Sequence, residues 1–150
     1  MSTVNATHEI NKGLIADYII DHNDFFAMVS LDIRFAKPGG DEHIDKDALF
    51  AIEKLFLLYL IENDYKDKII HFGSIGDTGI DLNLNCSFDV RKSLELVKDM
   101  CQYILDMNAG EPSDHPLVSA IQLGLDAAKE VIVEYLAVVD SNYVQTETAI

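Results

Sequence analysis

Three sets of residues in this chain have types and spacings that could do chemistry. The densest runs from Ile80 to Phe88, where Asp81, Asn83, Asn85 and Ser87 alternate with Ile80, Leu82, Leu84, Cys86 and Phe88. A strand sends successive side chains to opposite faces, so this alternation predicts one apolar and one polar face. Ser30, Asp32 and Arg34 alternate with Val29, Leu31, Ile33 and Phe35 in the same way. If the two strands are neighbours, their polar faces merge into one hydrogen-bonding surface, with Asp32, Asp81, Asn83 and Asn85 as its binding residues. Convergence of Asp32, His71 and Asp81 there would suit a small-molecule site or a small enzyme.

The second set is Gly73-Ser74-Ile75-Gly76-Asp77-Thr78-Gly79. Glycine-rich turns can offer backbone N–H groups to phosphate. This one lacks the lysine and spacing of a nucleotide loop, and Asp77 would repel an anion. It reads as a hairpin tip that exposes Asp77 to a partner. The run Asp81-Leu82-Asn83-Leu84-Asn85 also copies the first three ligand positions of a calcium loop. Cys86 then stands where that loop needs glycine, and Lys92 where it needs a closing glutamate.

The third set is the histidines and thiols. His8, His22, His43, His71 and His115 are scattered, with no pair at ligand spacing on a helix. His71 lies beside core positions and is expected to pack. Cys86 and Cys101 fall on apolar faces, where a thiol is reduced and inert. The sequence therefore predicts no catalytic residue, no metal and no cofactor.

Charge sets the remaining bounds. Twenty-six carboxylates oppose eleven Lys and Arg, a formal charge of −15 on 150 residues. That argues against direct binding to nucleic acid or to an anionic membrane, and for attraction to a basic partner. At 49% hydrophobic residues, the chain can still fill the core of one domain spanning 1–150. The longest apolar run, Leu55 to Ile61, is too short to span a bilayer. No secretory signal precedes the body, so the cytoplasm is the expected compartment.

The elements that must hold these residues follow from periodicity. Ile10, Leu14 and Tyr18 are spaced as on an amphipathic helix over 10–20. A strand follows over 25–36, then a helix from an Asp45 cap to Asn63 that is apolar nearly all round. A hairpin over 68–88 leads to a helix over 90–109 capped by Asp89. A last helix spans 116–139, and a polar tail over 141–150 is expected to fray. The fold class is α+β: a three-stranded sheet with about four helices on one face.

The function expected from charge, size and missing catalytic motifs is a non-enzymatic acidic binding protein. Its kind would be an inhibitor or immunity-type antidote that blocks a basic, nucleic-acid-handling protein. Asp126, Glu130 and Glu134, four residues apart on the last helix, would join the contacts. The alternative is a ligand-binding protein or small enzyme using the open sheet face. A third is a homodimer, assembled through the apolar second helix or the valine-rich last one.

Overall fold

A computed structural model describes residues 10–21, 27–86 and 91–149. The elements run β1 (Gly13–Ile20), β2 (Ala27–Arg34), α1 (Lys46–Glu62), a 3-10 turn (Lys66–Lys68), β3 (Ile69–Ile75), β4 (Gly79–Leu84), α2 (Lys92–Leu105), α3 (Pro116–Val138) and β5 (Tyr143–Ala149). They build one five-stranded sheet in the order β3-β4-β2-β1-β5. β1 and β5 are parallel, and the other neighbours are antiparallel.

The alternation in β2 and β4 does what its period demands. Val29, Leu31, Ile33, Ile80, Leu82 and Leu84 are fully buried and share one core with Leu14, Ala16 and the inner faces of all three helices. Phe35 extends that core between Tyr135, with ring centroids 5.2 Å apart, and Phe56 at 6.4 Å. Asp45 caps α1 by accepting from Ala48 N at 3.1 Å. His115, rather than the preceding Ser113 or Asp114, caps α3 through Nδ1. The predicted Asp89 cap and the outer strand residues Phe25 and Phe88 lie outside the described residues.

The α+β class stands, but the predicted three strands and four helices are corrected, among the described residues, to five strands in a mixed sheet with three α-helices. Residues 13–20 are strand, not helix. A spacing of four fits both periods, because four is also a multiple of two. Leu14 and Tyr18 therefore share the core side of β1 with Ala16. The apolar residues of the other face, Ile15 and Ile19, extend the strand's apolar run, and β1 is paired on both edges, by β2 and β5. The second correction is the tail, which forms β5 instead of fraying. Its sequence is polar, and what fixes it is distant. Leu14 N donates to Asn142 O at 3.0 Å, and Asn142 Nδ2 to Lys12 O at 2.9 Å. Gly13, at a φ of +156°, makes room for this, since a Cβ there would overlap the Asn142 carbonyl.

The buried Tyr135 hydroxyl donates to Gly13 O at 3.0 Å, tying α3 to the start of β1. Tyr135→Phe leaves that carbonyl without its donor. The expected cost is about 1–3 kcal/mol, read from the midpoint of urea unfolding.

Candidate functional site

β2 and β4 are neighbours, so their polar faces do merge on the side of the sheet away from the helices. Asp32 stands opposite Asp81, and Ser30 opposite Asn83. β3 brings His71 opposite Asn83, and β1 brings Asp17 opposite Ser30 and Ile15 opposite Asp32. Four strands thus present one patch centred on two facing aspartates.

Charge in the patch is arranged unevenly. Arg34 Nε and Nη2 lie 3.0 and 2.9 Å from Asp32 Oδ2, and its Nη1 donates to Ile10 O at 3.1 Å. Among the described residues, Asp32 Oδ1 is buried without a hydrogen-bond partner, and so is Asn83 Oδ1 on the next strand. A buried acceptor without a donor costs about 1–3 kcal/mol. Asp81 differs from Asp32. Its Oδ2 lies 3.5 Å from His71 Nε2. Burial pushes its carboxyl up, His71 pulls it down, and the charge of Asp32 adds to the rise. A carboxylate neutralised by arginine therefore faces a carboxyl that holds its proton more readily than usual, an arrangement suited to acid–base work.

Of the eight predicted contact residues, the fold brings together only Asp32, Asp81 and Asn83. Asn85 lies beyond the end of β4 and is exposed. Asp77 sits at the β3–β4 turn, where its Oδ2 meets His43 Nδ1 at 2.8 Å. Asp126, Glu130 and Glu134 lie on α3, on the helical side of the sheet, and Glu134 is paired with Lys12 at 3.2 Å. The acids thus fall on opposite sides of the molecule. Asp17 escaped the sequence, while His71 and Arg34 were named there without their contacts. His71, expected to pack, keeps 57% of its side chain exposed and faces Asp81. Asp17 accepts from Thr146 and Thr148 of β5, and misreading β1 as a helix hid it. Arg34 was visible, but its grip on one oxygen of Asp32 was not.

The exposed His43–Asp77 pair makes a pH prediction. The hydrogen bond and charge of Asp77 raise His43 above 6.5, with a smaller push from Asp41 and burial opposing. The same hydrogen bond lowers Asp77 below 3.8. The histidine's contribution is complete below 6.5 and is lost as pH rises through its raised value. The aspartate's is present above 3.8 and is lost as pH falls through its lowered value. The latch is thus fully made only in mildly acidic solution. An NMR titration of His43 should give a midpoint above 6.5 that returns toward it in Asp77→Asn.

Cys86 and Cys101 are unbonded. Burial pushes Cys86 up to about 11, and Cys101 further still, so neither supplies a thiolate near neutrality. Among the described residues, no three His, Cys, Asp or Glu side chains are placed to hold a metal ion; His8 and His22 lie outside them. No helix among them is long and apolar enough to cross a membrane.

The described residues thus form an α+β body with a helical layer on one sheet face and two facing carboxyls on the other. The chain belongs to the S-ribosylhomocysteinase (LuxS) family, whose model it matches over residues 14–145, from the start of β1 into β5. No curated protein matches it. Membership in an enzyme family overturns two expectations: a non-enzymatic inhibitor or immunity protein, and a basic, nucleic-acid-handling protein as its partner. The physical reason is that net charge is a property of the whole surface. It governs solubility and encounter, and it carries no information about which few side chains do chemistry.

Proposed function

We propose that the chain is an enzyme of small-molecule metabolism that acts on S-ribosylhomocysteine or a close thioether of ribose at the open sheet face. The observation that carries this reading is the facing pair Asp32 and Asp81, with Asp32 Oδ1 and Asn83 Oδ1 buried and unpartnered beside it. Those two acceptors suit the hydroxyls of a sugar. Asp32, its other oxygen held by Arg34, takes a proton from the bound sugar. Asp81, its carboxyl raised by burial, supplies one, with His71 at 3.5 Å as its exchange partner. Releasing a thiolate from carbon requires both transfers in register. Asp77 and Asn85 are placed to contact substrate or a second copy only at the rim. The compartment is the cytoplasm, which keeps Cys86 and Cys101 reduced.

Incubation with S-ribosylhomocysteine, followed by chromatography for free homocysteine, tests the reading. Homocysteine release and a ligand-induced rise in Tm are the expected results. Neither appearing would refute it.

A further inference from the structure

We propose that a second site, in the cleft between the start of α2 and the end of α3, binds a free α-amino acid. The cleft measures about 510 Å3 and is lined by Arg91, Leu94, Lys98, Asp140 and Tyr143. Arg91 occupies the N-cap position of α2, and Asp140 follows Val139, the C-cap of α3. The positive end of one helix and the negative end of another therefore border one cavity. The side chains repeat those signs, with Arg91 and Lys98 on α2 and Asp140 beyond α3.

Asp140 is badly placed for stability alone. A carboxylate at a helix C-terminus opposes the dipole, and the last turn of α3 contains no basic residue. Its compensation comes from another element: Lys98 Nζ lies 3.2 Å from both Asp140 oxygens. That pair is exposed, so it contributes little to the fold. It does hold opposite charges at the mouth of a cleft, in a chain of net charge −15 that otherwise repels anions.

A zwitterion is the ligand class that fits this arrangement. Its carboxylate can take Lys98 while its ammonium takes Asp140, so both members of that ion pair keep an opposite charge. A plain carboxylate would separate Lys98 from Asp140 and leave the aspartate uncompensated, and a plain amine would do the reverse. Leu94 and the Tyr143 ring, both half-buried, offer an apolar wall to the amino acid's side chain. Tyr143 is in register with Leu14 on the core side of the sheet, so this site is separate from the Asp32–Asp81 patch and does not depend on the function proposed for it.

The test is a titration of the whole chain with L-methionine, followed by amide chemical shifts, with butyrate and butylamine as single-charge controls. Saturable shifts at Leu94, Lys98 and Tyr143 are expected in the millimolar range or tighter, with the controls weaker by about tenfold or more. Lys98→Met and Asp140→Asn should each weaken methionine binding by a similar factor while leaving Tm nearly unchanged. Absence of a saturable shift overturns the proposal. So does butyrate binding as well as methionine, which would mark a plain anion site, or both variants binding as the parent does.

Discussion

Asp81→Asn should lower release of homocysteine from S-ribosylhomocysteine by about 10²–10⁴-fold, the range expected when a positioned acid–base group is removed. The amide keeps the shape of the carboxyl but cannot exchange a proton with bound sugar or with His71, 3.5 Å away. The loss should fall on kcat more than on KM. Asp32→Asn should lose a similar factor for a different reason, because its amide cannot take a proton from the sugar and leaves Arg34 facing a neutral group. The pH profile separates the two. Burial raises the parent Asp81 carboxyl, so the parent's rate should change with pH above the usual carboxylate range. Asp81→Asn should lose that feature, and Asp32→Asn should shift it downward as the neighbouring charge disappears. Asp126→Asn, on the far side of the sheet, is the control. Asp81→Asn retaining activity within about threefold in a folded chain would remove this carboxyl from the chemistry.

The second large effect is on stability. Gly124 lies where α3 crosses the first turn of α1, and a Cβ built on it would overlap the Asp47 carbonyl oxygen, with Ala48 N behind it at 3.2 Å. Both obstacles are backbone, so no rotamer change makes room. Gly124→Val must push the two helices apart, opening gaps around Leu125, Ala128 and Ala48, all buried in the shared core. Overpacking of this kind costs about 3 kcal/mol or more, against a few tenths recovered from helix propensity. Leu123→Ala, one residue earlier at 72% exposure, should shift stability by only about 0.5 kcal/mol. Urea unfolding of both variants checks the contrast, and equal midpoints would refute the close approach.

The parts of this fold legible in the sequence were those fixed by local pattern. β2, β4, the Asp45 cap and the spans of α1 and α3 follow from alternation, capping chemistry and helical spacing within a few residues of each other. β1 and β5 were illegible for one shared reason. Among the described strands, β5 pairs only with β1, and β1 is further tied by Tyr135, more than a hundred residues from Gly13, and a window of ten residues holds none of that. The candidate site divides the same way. The polar faces of β2 and β4 were visible, including Asp32, Asp81 and Asn83. Their junction depended on a strand order that periodicity does not encode. The acids of α3 drew attention by number, yet Glu134 proves to be tied to Lys12, and Asp140 to Lys98.

The parallel pairing of β1 with β5 has a consequence for synthesis. β1 sits beside β5, more than a hundred residues further along the chain, so one of its edges stays bare until residue 149 has emerged. Through that interval Ile15, Ile19 and Ile20 flank a row of unsatisfied amides, a template for unwanted strand addition. A product truncated before Tyr143 would keep that edge permanently and should be recovered in inclusion bodies. The polar tail thus serves as the closing piece that ends the nascent chain's exposure to aggregation.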